Sequence, residues 1–130
     1  MTALALLAVA LGAGVGAPAR YAIDHWVSAR TITWLDSPRA WARLPWGLMT
    51  VNIAGSLLLG IVLGATTGTL RYLLAAGLCG TLTTFSSFGW QSYQAWRNDR
   101  RVFWLGLIAM TLGCVLAFGL SYSLVISFNG

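Results

Sequence analysis

Charged positions cut this chain into long apolar stretches. All eleven charges lie at Arg20, Asp24, Arg30, Asp36, Arg39, Arg43, Arg71, Arg97, Asp99, Arg100 and Arg101. The residues between them form charge-free runs at 1–19, 44–70, 72–96 and 102–130. Each run is close to or above the roughly 20 residues that carry a helix across bilayer hydrocarbon. The pattern predicts an all-α chain of four transmembrane helices, forming a single membrane domain over residues 1–130. Helix one is expected at Ala3 to Val27, helix two at Trp46 to Ala65, helix three at Tyr72 to Trp96 and helix four at Val102 to Phe128. Connections this short set neighbouring helices antiparallel. Gly12 and Gly16 are spaced as a close-contact pair, and Gly60, Gly64 and Gly68 follow the same four-residue rule.

Composition strengthens the reading. The chain is 58% apolar and 8% charged, against about 25% charged in a soluble domain. A net charge of +5 would suggest nucleic acid in a soluble protein, but these arginines sit at membrane boundaries, where they mark topology and meet lipid headgroups. Nucleic acid is therefore not an expected partner. Cys79 and Cys114 lie inside apolar runs and read as packing residues, and His25 reads as interfacial. With no nucleophile–base set, carboxylate pair or phosphate loop, an enzyme is not expected. Ala17-Pro18-Ala19 imitates a signal-peptide cleavage site, yet no positive charge precedes the apolar stretch, so the segment is kept as the first helix. Trp26, Trp34, Trp41, Trp46, Trp96 and Trp104 fall at predicted helix ends or in connections, as an aromatic belt at the two headgroup layers would.

Three features exceed the needs of a plain bundle. Residues 80–88 read Gly-Thr-Leu-Thr-Thr-Phe-Ser-Ser-Phe, six of nine being Gly, Ser or Thr, which is poor helix material at bilayer depth. Unwound backbone there survives only if it is buried in protein, faces water or binds an ion; hydroxyls back-bonding within an intact helix are the plainer alternative. Asn52 places an amide in the middle of an uncharged run, where it must find partners, as helix–helix glue or as the lining of a polar pathway. Arg20 stands near the end of helix one, placed to snorkel to the headgroups or to gather anions at a pore mouth.

In order along the chain come Gly16-Ala17-x-x-Arg20-Tyr21, then Pro45-Trp46-Gly47 with Val51-Asn52-x-x-Gly55-Ser56, then Gly80-Thr81-Leu82-Thr83-Thr84-Phe85-Ser86-Ser87-Phe88. This set resembles the Fluc family of bacterial fluoride channels, also called CrcB proteins, over nearly the whole chain. The resemblance implies an antiparallel dimer of four-helix subunits with two fluoride pores in the bacterial cytoplasmic membrane, exporting fluoride passively and so lowering its toxicity. It further implies that Phe85 and Phe88 turn ring edges, the positive side of the aromatic quadrupole, toward fluoride. By the same resemblance Asn52 donates its amide to the ion, Ser86 and Ser87 offer hydroxyls along the route, and Arg20 stands at the aqueous vestibule. Helix three would break mid-membrane, with Gly80 and Thr83 carbonyls from each subunit holding a structural sodium ion at the dimer centre.

The chain departs from the family pattern at Leu48, Gln91, Leu105 and Ala109, where polar or acidic residues are usual, which bears on how many pores of a dimer conduct. Two other classes compete. A small multidrug-type exporter coupled to protons needs a membrane-embedded carboxylate, whereas this chain has no Glu and its three Asp lie at boundaries. A non-transporting membrane subunit would gain nothing from Asn52 or from the 80–88 stretch.

The arginines also predict orientation. Loops 28–45 and 97–101 carry Arg30, Arg39, Arg43, Arg97, Arg100 and Arg101, while the side holding both termini and the 66–71 turn carries Arg71 alone. Cytoplasmic loops collect Lys and Arg, so the chain is expected to insert mainly one way, termini outside. A homodimer needs inverted copies of this chain; a heterodimer would supply an inverted homologue.

Overall fold

The computed structural model describes residues 2–31 and 40–129. Trp34, Asp36, Arg39 and the side chain of Trp41 lie outside that description. Among the described residues all regular structure is helical. Helix α1 spans Ala3–Thr31 and continues through Pro18, four residues past its expected end. A short 3₁₀ turn at Ala40–Arg43 leads into α2, Trp46–Ala65. The next run is composite: α3 at Gly68–Arg71, a π-helical stretch at Tyr72–Cys79, α4 at Gly80–Leu82 and α5 at Phe85–Asn98. The last helix, α6, covers Arg100–Asn129.

Three helices, Ala3–Thr31, Trp46–Ala65 and Arg100–Asn129, are long and apolar enough to cross a membrane by length and composition. Four were expected. The run over 68–98 yields no such unbroken helix, because it is divided after Leu82 and its second half is polar along one face.

The core forms around α2, where Leu48, Met49 and Val51 pack with Met110 of α6. Glycines let α2 and α6 come close: a side chain at Gly60 would strike Ser121 Oγ, one at Gly64 would press on Val125, and one at Gly113 would press on Ile53. Gly68 does not belong to that stripe. It lies beyond the end of α2, adopts φ +61° and faces open space, so its role is the turn that only glycine enters cheaply.

On the other flank α1 meets the π-helical stretch backbone to backbone. A Cβ at Gly12 would collide with the Leu73 carbonyl, one at Gly16 with Thr81 Oγ1, and one at Gly77 with the Val9 carbonyl at 2.7 Å. The wider π turn lies where this approach is tightest.

The two ends of the bundle differ. Arg43 at the 3₁₀ turn pairs with Asp99 between α5 and α6 at 3.4 Å, joining the two arginine-bearing connections. At the opposite end Asn129 Nδ2 reaches the Gly64 carbonyl at 3.5 Å, and Arg71 donates to the carbonyls of Leu63 and Thr66 at 2.8 Å each, closing the C-terminus of α2. Trp26, Trp46, Trp96 and Trp104 all fall toward the first end, because antiparallel helices bring those element ends together. Among the described residues these tryptophans thus gather at one end, while exposed Tyr72 and Tyr122 lie toward the other. Arg30 lies over the Trp26 ring at 4.1 Å and Arg100 over Trp96 at 4.2 Å, cation–π contacts that suit a headgroup layer. Along the outer flanks Leu4, Leu11, Val15, Leu112, Val115, Leu116 and Leu120 are all more than half exposed, an apolar surface far beyond what water tolerates.

Candidate functional site

Between α4 and α5 the backbone leaves helical geometry for two residues. Thr83 adopts φ −82°, ψ 155° and Thr84 φ −148°, ψ 121°. A continuous helix would aim the Thr84 N–H at the Gly80 carbonyl and the Ser87 N–H at the Thr83 carbonyl. Here both donors go elsewhere. Thr84 N–H donates to Asn52 Oδ1 at 2.8 Å, and Ser87 N–H donates to Thr84 Oγ1 at 3.4 Å, a threonine N-cap for α5.

Asn52 completes the exchange. Its Nδ2 donates to the Thr84 carbonyl at 3.4 Å and approaches Met110 Sδ at 3.6 Å. The amide orientation is settled by the peptide, since a backbone N–H can only donate. One carboxamide, 7% exposed on α2, therefore takes the N–H that a continuous helix would have paired, on a residue 32 positions away. Gly55, one turn along α2, leaves room for the Thr83 methyl, which a Cβ there would strike.

A groove of about 320 Å³ opens at this junction, lined by Asn52, Ser56, Thr83, Thr84, Phe85, Phe88, Met110 and Thr111 among others. The Phe85 and Phe88 rings stand 6.0 Å apart at 58°. Phe88 is half-buried against the core, whereas Phe85 is 84% exposed at the rim. The groove wall is mostly apolar, with Asn52, Ser56 and the threonines as its polar residues. Such a surface can hold a small ion without a fixed opposite charge that would trap it.

Of the residues singled out from the sequence, Asn52, Thr83, Phe85 and Phe88 share this groove. Ser86 and Ser87 gather around the Thr84 hydroxyl at 3.2 and 3.3 Å instead. Gly80 lies in helical backbone, φ −63°, one turn before the extended pair. Arg20 is half-buried on α1, between Gly16, which faces Thr81, and Asp24, which faces Gly47; it is not among the groove-lining residues. Thr84 is not among the residues singled out from the sequence, though threonine is a favoured residue immediately before a helix. Leu48 is 1% exposed within the core, Ala109 packs on that core and Leu105 faces outward, so apolar residues at these positions meet their surroundings.

Residues 7–124 match the family model described as CrcB-like protein, Camphor Resistance (CrcB). The chain belongs to the CrcB family. It is 41% identical over 114 residues to a protein of Nocardia farcinica named fluoride-specific ion channel FluC 1, the match covering 84% of this chain and 74% of the relative. A Corynebacterium jeikeium protein of the same name is 37% identical over 133 residues, covering 90% and 87%. A Leptospira interrogans protein named fluoride-specific ion channel FluC is 30% identical, covering 82% of both chains. The groove and its extended pair therefore belong to a CrcB membrane protein.

Proposed function

We propose that this CrcB protein is a fluoride-specific channel, passing the ion down its electrochemical gradient out of the bacterial cytoplasm, with no enzymatic step. The observation that carries the reading is the groove where Asn52, Phe85 and Phe88 meet at the extended Thr83–Thr84 pair, in a chain similar to proteins named fluoride-specific ion channels. Phe85 and Phe88 offer ring edges to the ion, Asn52 offers an N–H, and Ser86 and Ser87 extend the route. Arg20 gathers anions at the vestibule.

The subunit works as an antiparallel dimer in the cytoplasmic membrane, the exposed apolar flanks facing lipid or a partner that is a second copy or an inverted homologue. Phe85, 84% exposed in the single chain, is positioned to meet such a partner. The 68–98 run makes the fourth crossing, interrupted at membrane depth.

A sodium ion at the dimer centre suits the donor set. Gly80 and Thr83 are the two carbonyls whose helical donors are diverted to Asn52 and to the Thr84 hydroxyl. Backbone carbonyls are hard oxygen ligands for such a cation, and its charge would stabilise oxygens that hydrocarbon cannot solvate.

Purified protein in liposomes decides the reading. Efflux is expected to be fast for fluoride and undetectable for chloride, and Phe85→Ile is expected to abolish it. Equal chloride flux, or no fluoride flux from the native chain, would overturn it.

A further inference from the structure

A second hollow, of about 370 Å³, opens at the arginine-bearing end of the bundle, with Arg43, Gln91, Gln94, Asn98 and Asp99 in its wall. A neck of about 20 Å³ lies between it and the Asn52 groove. The neck shares Pro45 and Gln91 with the outer hollow, and Phe88 and Met110 with the inner groove. The three spaces follow one face of α5, through Phe88, Gln91 and Ala95 at helical spacing. A neck of that size admits about one water molecule, and an unhydrated fluoride ion is of similar bulk.

The neck is mostly apolar. Gln91 Oε1 is buried there with no hydrogen-bond partner, a state proteins normally relieve with ordered water. Its carboxamide offers a donor as well as an acceptor, as do those of Gln94 and Asn98 further out. The track therefore runs from the groove to the surface past an apolar constriction that holds one unpaired amide oxygen.

At its outer end Arg43 Nη1 meets Asp99 Oδ2 at 3.4 Å, the arginine side chain 54% exposed and the aspartate 30%. Asp99 is anchored by its other oxygen, Oδ1, which accepts the N–H groups of Arg101 at 2.9 Å and Val102 at 3.5 Å and so caps α6. The carboxylate is fixed and the guanidinium is the partner free to swing.

We propose that the Arg43–Asp99 pair is an electrostatic valve at the outer mouth of the ion path: Arg43 recruits small anions and Asp99 holds that attraction in check. The proposal rests on the fluoride-channel reading. An exposed pair at this distance is weak enough for an entering anion to compete for the guanidinium. An unopposed arginine would concentrate anions at the mouth, and an unopposed aspartate would deplete them.

Fluoride efflux from liposomes holding the full chain tests this at low and high salt. Asp99→Asn removes the charge and keeps the cap, since asparagine is as good at that position. At about 10 mM ionic strength it is expected to raise the initial rate about two- to fivefold, and Arg43→Gln to lower it by a similar factor. The double variant should fall between the two. At about 0.3 M salt, where the screening length shrinks to several ångströms, the differences should close. Equal rates for conducting variants at low salt, or a fall in both single variants, would overturn the valve alone. A native chain that conducts no fluoride would overturn the channel reading and the valve with it.

Discussion

At Asn52 one carboxamide meets both backbone groups of Thr84, accepting from the N–H at 2.8 Å and donating to the carbonyl at 3.4 Å. Removing it strands the Thr84 N–H, whereas the Thr84 carbonyl, at the N-cap, keeps the first intrahelical bond of α5. Asn52→Leu is therefore expected to destabilise the fold by about 1–3 kcal/mol for the N–H left unpaired, lowering the thermal midpoint in detergent. An unchanged midpoint would show that the Thr84 backbone finds other partners. The need for a partner was legible in the sequence, since an amide in a 27-residue uncharged run cannot stand alone. Which partner it takes was not legible, because Thr84 reaches it only through tertiary contact. The same holds for Thr84 itself, whose value lies in a backbone conformation that residue identity does not declare.

Among the helices, the packing of α1 on the Tyr72–Cys79 stretch turns on glycines that differ sharply from one another. A methyl at Gly12 would collide with the Leu73 carbonyl and crowd Leu78 N at 2.9 Å, whereas one at Gly14 would meet nothing within 4 Å. Gly12→Ala is expected to cost about 1–3 kcal/mol, as overpacking against rigid backbone does. Gly14→Ala should be neutral or stabilising by up to about 1 kcal/mol through helix propensity. Circular-dichroism melts of the two variants side by side would check this, and equal melts would refute it. Helix α2 could be read directly from the sequence at Trp46–Ala65, because its ends coincide with Pro45 and the polar Thr66-Thr67 pair. The third run could not. Apolar periodicity does not separate a π turn from an α turn, and the extended pair at Thr83–Thr84 depends on Asn52 to make it affordable.

For the molecule as a whole, the fold gathers charge at one end. Arg43, Arg97, Asp99, Arg100 and Arg101 cluster there with Arg30, whereas Arg71 at the far end is engaged by carbonyls of α2. Short loops rich in arginine stay in the cytoplasm. In cells, a cysteine at Ser37 should resist labelling by an impermeant reagent while one at Gly68 reacts, in a background without Cys79 and Cys114. Equal labelling of both from outside would show dual insertion, the condition for a homodimer of inverted copies. The asymmetry could be counted in the sequence. That Arg71 also serves as a helix cap could be learned only from the fold.

The polarity of α5 bears on how the chain is made. Phe85–Asn98 carries Ser86, Ser87, Gln91, Ser92, Gln94, Arg97 and Asn98, too many costly groups for the segment to partition into lipid by itself. As it leaves the ribosome it has no reason to stay in the bilayer until α6, still unsynthesised, follows and covers it. A cysteine at Ser92, which faces Phe103 and Gly106 of α6, should therefore react with a water-soluble maleimide in a chain truncated after Asn98 and be protected in the full one; protection in both would show that α5 enters alone. Synthesis of α6 is what commits this half-helix to the membrane, so a ribosome stalled before α6 leaves behind a chain whose Asn52 groove still lacks its Met110 and Thr111 wall.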